Sequence, residues 1–171
     1  MNKIKIGSTY GYANFISKEE QKIILNWVEK NKNNFTPNGF GRKFGIIYNF
    51  DGYPSLIHNL KDRIIKLENI EKHLEEPCFK DYVGYVTEGG AIHTHTDPNI
   101  DNYIHTRYNI IISYPEKGGE SIYGNETNCL SERMVWKCIA GLVPHGSHPV
   151  IGQKPRITLS LGFLIYDEKE N

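Results

Sequence analysis

The sequence predicts a mainly β domain with helices near its N-terminus, an α+β class whose strands form a sandwich or barrel. Helix signals concentrate in residues 1 to about 78, whereas residues from about 79 to 166 form short apolar runs separated by Gly, Pro and Asn. Helices that precede the strands are expected to brace one outer sheet. With 171 residues and no internal repeat, the chain is expected to fold as a single domain, 1–171.

Two helices are predicted in the first part. Ser17 and Glu20 form a capping box, and apolar residues recur after it at helical spacing, so a helix is expected from about 18 to 32. A second helix is expected over about 55–67, where leucines and isoleucines share one face. The segment 44–50 between them is expected to be a strand.

Five strands are predicted in the second part. One carries a β-branched run typical of a buried strand, and the last alternates with period two. The predicted strands are 79–86, 107–114, 120–123, 133–139 and 156–166.

Composition narrows the classes of partner. Twenty basic residues equal twenty acidic ones, and a neutral chain lacks the basic surface with which most proteins bind nucleic acid. No apolar run is long enough for a membrane span or a signal peptide, so no membrane partner is expected. Cys78, Cys129 and Cys138 are an odd count without framework spacing, which favours reduced thiols and a cytoplasmic location.

The most informative motif is His95-Thr-Asp97, followed by His145 and Arg156. Two imidazoles and one carboxylate can hold iron(II) on one face and leave its other coordination positions open. Side chains two apart on a strand share a face, so one strand end can supply His95 and Asp97. Arg156 can hold the far carboxylate of a dicarboxylate co-substrate, and Thr158, two residues on, can add a hydrogen bond.

Other histidines leave alternatives open. His93 is also two residues from His95, so a cupin-type site could use that pair. His148 is the second candidate for the distant ligand, and we prefer His145 because it ends a strand-like run. His105 is expected in a loop, and Trp136 is expected to fill the barrel rather than to line the pocket.

This ordered series resembles the Fe(II)/2-oxoglutarate-dependent dioxygenase superfamily, and especially its short prolyl-hydroxylase-like and phage-like members. The resemblance covers roughly 82–165, about half of the chain. It implies a double-stranded β-helix (jelly-roll, cupin-like) core. It also implies His95, Asp97 and His145 as iron ligands, with Arg156 on the distal carboxylate of 2-oxoglutarate.

The same resemblance implies further co-substrate contacts from Tyr114, Tyr85 and Asn109, beside Thr158. It implies an oxygenase that uses Fe(II), 2-oxoglutarate and O₂ to hydroxylate a small polar molecule, a free amino acid or a peptidyl residue. This chemistry requires no side-chain acid or base beyond the metal ligands.

Two other functions remain open from the sequence. AlkB-like nucleic-acid dealkylases carry a second arginine six residues after the first, where this chain has Gly162. A non-catalytic cupin-like module would bind metal through His93, His95 and His145, and Arg156 would then be incidental.

Overall fold

The computed structural model describes residues 2–167, which form two helices, α1 (Lys18–Asn31) and α2 (Leu56–Glu68), and fifteen strands. The strands are β1 (Asn2–Ile6), β2 (Thr9–Ala13), β3 (Thr36–Pro37), β4 (Arg42–Ile46), β5 (His73–Glu75), β6 (Tyr82–Val86), β7 (Ile92–His95), β8 (Tyr103–Ser113), β9 (Lys117–Gly118), β10 (Ser121–Tyr123), β11 (Glu126–Asn128), β12 (Val135–Cys138), β13 (His145–Ser147), β14 (Val150–Ile151) and β15 (Arg156–Tyr166). The predicted mainly β class is confirmed.

Both predicted helices are confirmed within a residue or two. The capping box begins α1: the backbone N–H of Glu20 donates to the Ser17 hydroxyl, and the Glu20 carboxylate accepts from the Ser17 N–H. Helix α2 ends at Asn69, which adopts the left-handed conformation that commonly terminates a helix. Among residues 2–167, no helix combines the length and the apolar character needed to cross a membrane.

A large antiparallel sheet has the order β1-β2-β12-β8-β15-β6-β4-β3, and β5 adds to one end of β15. Its two central strands, β8 and β15, are eleven residues long and pair over ten positions. A second sheet has the order β11-β10-β13-β7, and β14 pairs with β9.

The hydrophobic core lies between the helices and one face of the large sheet, as the predicted bracing requires. Buried Val28 and Leu60 represent the two helices in this cluster, and Leu159 and Leu161 represent β15. Because side chains alternate along a strand, Arg156 and Thr158 point to the opposite face. That face of the sheet lines the pocket described below.

The first part of the chain contains more strand than the sequence predicts. Strand β2 pairs with β12 in the large sheet, so the N-terminal segment belongs to the same sheet as the later strands. The predicted strand 44–50 is only partly right, since β4 ends at Ile46 and Ile47–Asn49 forms a turn of 3₁₀ helix.

Candidate metal centre

Two short strands of the second sheet bring the candidate ligands together. His95 is the last residue of β7 and His145 the first of β13, and antiparallel pairing places these two residues directly opposite each other. Asp97 follows two residues after His95, and its backbone N–H donates to the carbonyl of Ala140. Pairing between strands fifty residues apart therefore assembles a site that the sequence shows only as separate motifs.

The three side chains form a compact set of donors. His95 Nε2 lies 3.5 Å from Asp97 Oδ1, and His145 Nε2 lies 4.0 Å from Asp97 Oδ2. One ligand atom from each of the three residues lies within 4.8 Å of the others. Two imidazoles and one carboxylate at this spacing can chelate a single divalent ion on one side.

Backbone carbonyls orient both imidazoles. His95 Nδ1 donates to the carbonyl of His93 at 2.8 Å, and His145 Nδ1 donates to the carbonyl of Val143 at 3.2 Å. Each hydrogen bond fixes a proton on Nδ1, so that in the neutral ring Nε2 carries the lone pair that can bind a metal on the side of Asp97. Burial lowers the pKa of His145, so this ring is neutral at pH 7.

A network of buried polar side chains contacts the Asp97 carboxylate. Its Oδ2 accepts from Arg107 Nε at 3.4 Å and lies 3.6 Å from His105 Nε2, while Arg107 Nη2 contacts the buried Glu76 at 2.8 Å. Burial alone would raise the pKa of Asp97. The hydrogen bond with His95 and the charges around the carboxylate lower it instead to about 2. The carboxylate is therefore ionised and ready to bind a cation.

His105 and Arg107 were not identified from the sequence as parts of the site. His105 was predicted to lie in a loop, but β8 begins at Tyr103, so this histidine is buried within the strand. The prediction is wrong because the strand extends four residues beyond its apolar run. His105 and Arg107 are two residues apart on β8, and this spacing is the signal that could have revealed them.

The two ligand histidines line a pocket, and Arg156 lines the same inner part of it, which we call the inner pocket. Arg156 is 4% exposed. Its Nη2 donates to the Ser121 hydroxyl at 3.0 Å, and its Nε is buried without a hydrogen-bond partner among residues 2–167. No carboxylate of the described residues lies within ion-pair distance of this guanidinium. Burial lowers its pKa, yet arginine keeps its charge in proteins. A buried cation without a counter-ion is costly unless a ligand supplies the anion.

The inner pocket also contains two other predicted co-substrate residues. Thr158 and Asn109 line it together with His95, His145 and Arg156. The Thr158 hydroxyl is buried and has no hydrogen-bond partner within residues 2–167. The pocket therefore offers polar groups for a ligand that reaches from the candidate metal centre to Arg156.

The two tyrosines that were predicted to contact the co-substrate lie in different surroundings. Tyr114 directly follows β8, and it is close to Arg156: burial raises the pKa of Tyr114, while the charge of Arg156 acts in the opposite direction. Tyr85 lies on the other face of β6, packed against the hydrophobic core and away from the inner pocket. Tyr85 therefore does not line the inner pocket as predicted, whereas Tyr82 does, because residues 82, 84 and 86 share the pocket face.

The alternative residues take other positions. His148 Nε2 forms a hydrogen bond with the Thr127 hydroxyl at 3.1 Å, and His148 is not one of the three clustered ligands. His93 is exposed and lines the outer part of the pocket. Trp136 is buried against Tyr123 and also lines the inner pocket, so it fills the core and bounds the cavity at once.

Comparison with known proteins rests on structure. No model of a known protein family matches the chain, and no curated protein sequence matches it. Among solved structures, it is similar to the viral collagen prolyl hydroxylase of Paramecium bursaria Chlorella virus-1, in complex with 2-oxoglutarate. The TM-score is 0.67 at 14% identity, over 91% of this chain and 94% of that one.

Two further solved structures are similar. HygX from Streptomyces hygroscopicus, with nickel and 2-oxoglutarate bound, gives a TM-score of 0.71 at 9% identity, over 92% of this chain and 82% of that one. A Trichoplax adhaerens prolyl hydroxylase, bound to a hypoxia inducible factor peptide fragment, gives 0.69 at 15% identity, over 94% and 84%. The chain has the fold of these proteins. The predicted double-stranded β-helix core is thereby confirmed.

Proposed function

We propose that this protein is an Fe(II)- and 2-oxoglutarate-dependent oxygenase that hydroxylates a small polar molecule or a peptidyl residue. One observation carries the proposal: the buried Arg156, which has no counter-ion among residues 2–167, lines the same inner pocket as the ligand histidines. A dicarboxylate that reaches the metal at one end can neutralise Arg156 at the other. The solved structures with this fold include 2-oxoglutarate complexes, which supports this choice of anion.

The residues of the site fit both Fe(II) and 2-oxoglutarate. His95, Asp97 and His145 would hold Fe(II), since two neutral imidazole nitrogens and one carboxylate suit this ion and leave coordination positions open. Arg156 would bind the far carboxylate of 2-oxoglutarate, and the unpartnered Thr158 hydroxyl would add a hydrogen bond. When bound, the metal and co-substrate supply the oxidising chemistry, with O₂ as the oxidant.

The side chains of the protein would bind the metal and the co-substrate, orient them and shield them from water. Arg107 favours the ionised Asp97 carboxylate, and the buried Glu76 holds Arg107 in place, as supporting residues behind metal ligands commonly do. Trp136 closes one wall of the inner pocket and keeps water from its apolar side. No side chain is required to move a proton in this scheme.

The proposed substrate class includes both peptides and small molecules. One neighbour was solved with a peptide fragment, and HygX was also solved with hygromycin B bound, so the fold accommodates both peptides and small molecules. We also propose a cytoplasmic location, which the free cysteines Cys78, Cys129 and Cys138 favour.

The other two functions are less well supported. A side chain at Gly162 would meet the Lys80 carbonyl, since a Cβ there would lie 2.6 Å from that oxygen. The second arginine of the dealkylase pattern therefore has no room. A cupin-like module that uses His93 is disfavoured because the clustered ligand set includes Asp97 instead.

An anaerobic titration of the purified protein with Fe(II) and 2-oxoglutarate tests the proposal. We expect a weak visible charge-transfer band that requires both additions. The band should be absent in Asp97→Ala and in Arg156→Met, and it should persist in His148→Ala, the matched histidine control. Metal binding without the band in the wild-type protein would contradict the oxygenase and favour a metal-binding module.

A further inference from the structure

The pocket widens outside the candidate metal centre into a cavity of about 310 Å³ with one aromatic wall. Phe44, Phe79 and Tyr82 form this wall, and their ring centroids lie 5.5 to 6.5 Å apart in edge-to-face contacts. Phe79 is 42% exposed, although aromatic side chains are usually buried. Such a wall suits an apolar or cyclic part of a substrate.

Arg42 stands beside this wall. It is two residues from Phe44 on β4, so both side chains point into the pocket, and Arg42 lines both the inner and the outer part. His95 and Arg156 line the inner part of the pocket as well. The Arg42 guanidinium is therefore close to the candidate metal centre and to the floor of the pocket at once.

Arg42 lacks a negative partner in the part of the chain that the structure describes. Among residues 2–167, no carboxylate lies within ion-pair distance of it, whereas the neighbouring Arg107 contacts both Glu76 and Asp97. If the proposed function is correct, the two carboxylates of 2-oxoglutarate and Asp97 together neutralise Fe(II) and Arg156. Glu76 neutralises Arg107. Arg42 then remains as an unneutralised positive charge in a half-buried position at the mouth of the site.

We propose that Arg42 binds a carboxylate of the primary substrate, so that the enzyme acts on carboxylate-bearing molecules with an adjoining apolar or cyclic portion. This inference rests on the proposed function and specifies its substrate class. The planar guanidinium can bind a carboxylate through two parallel hydrogen bonds, and the aromatic wall holds the adjoining group. Electrostatic complementarity at a half-buried site selects charged molecules over neutral ones of the same shape.

Binding of a charge-matched pair of probes to a loaded protein tests this inference. The wild-type protein is saturated with Ni(II) and 2-oxoglutarate, and phenylacetate and phenylacetamide are then titrated separately by NMR. We expect phenylacetate to bind about tenfold more tightly, the scale of one charged hydrogen-bonded contact. Arg42→Gln should abolish this preference and leave the affinity for 2-oxoglutarate unchanged, and Arg42→Lys should retain part of it.

Lys43→Gln is the matched control, since Lys43 is adjacent on β4 and lines neither the inner nor the outer part of the pocket. It removes the same charge from the chain and should keep the preference. Equal binding of both probes to the wild-type protein would overturn the inference, and so would a loss of 2-oxoglutarate affinity in Arg42→Gln. If the wild-type protein takes up neither Ni(II) nor 2-oxoglutarate, the proposed function itself fails, and the inference fails with it.

Discussion

Replacing Arg156 with methionine should stabilise the ligand-free protein and abolish co-substrate binding. In the ligand-free state, Arg156 is a buried cation with one hydrogen bond, to Ser121, and no ion pair within residues 2–167. Removing it relieves a desolvation cost of several kcal/mol and forfeits one charged hydrogen bond worth about 1.5–3 kcal/mol. We expect a net gain of about 2 kcal/mol in the free energy of unfolding, or roughly 4–8 °C in Tm.

The effect on the loaded protein has the opposite sign. Loss of one partner of a buried charge pair costs about 3–5 kcal/mol, which weakens 2-oxoglutarate binding by roughly 100- to 4,000-fold. At a concentration about 1,000 times the wild-type Kd, 2-oxoglutarate should stabilise the wild-type protein by about 4 kcal/mol and Arg156→Met by about 1 kcal/mol or less. The order of stability of the two proteins should therefore reverse when the ligand is added.

Thermal unfolding of both nickel-loaded proteins, with and without 2-oxoglutarate, measures all four values. Ser121→Ala serves as the control, because it removes the hydrogen bond to Arg156 and keeps the charge, so ligand protection should persist. A ligand-free Arg156→Met protein that is less stable than the wild type would refute the uncompensated-charge argument. Equal protection of both proteins would refute the role of Arg156 in binding.

Three further predictions concern the metal ligands and the network behind them. Asp97→Ala should lose Fe(II) in an equilibrium metal-binding assay, whereas His93→Ala should retain it; the reverse result would favour the cupin-type ligand set. Metal affinity should rise with pH across and above 6.5, by about tenfold per unit for each proton displaced, because Asp97 raises the pKa of His95. A pH-independent affinity would remove His95 from the ligands. Arg107→Met should destabilise the protein by about 3–5 kcal/mol in denaturant unfolding, since it leaves Glu76 buried without its partner. The double variant with Glu76→Gln should recover part of that loss, and no recovery would contradict the pairing.

Local signals in the sequence predicted the elements whose stability is local. The capping box fixed the start of α1, and the period-two alternation of β15 gave both of its ends. Strands β1 and β2 were missed although Ile4 and Ile6 alternate with lysines, because β1 is a short edge strand that is exposed along most of its length. It forms because it pairs with β2, a contact that the sequence does not encode as a periodicity.

The candidate site was predictable in its residue types and less so in its placement. The motif identified His95, Asp97 and Arg156, because ligand chemistry restricts the amino acids that can serve. Tyr85 was misplaced because its position depends on which face of β6 its side chain occupies, and a two-sided apolar strand does not reveal that from sequence. His105 was misplaced for the related reason that its strand begins with polar residues.

The strand that carries Arg156 is paired over a greater length than the strands that carry the ligand histidines. One half of the site is therefore expected to be more rigid than the other. Arg156 stands on β15, which shares ten register positions with β8, whereas His95 and His145 stand on strands of four and three residues. Amide hydrogen exchange should therefore be slow around Arg156 before any ligand binds, and much faster around His95 and His145. A metal ion would act as a cross-link between β7 and β13. The co-substrate would then connect the well-paired strand β15 to the two short strands β7 and β13, which the ion itself has made rigid.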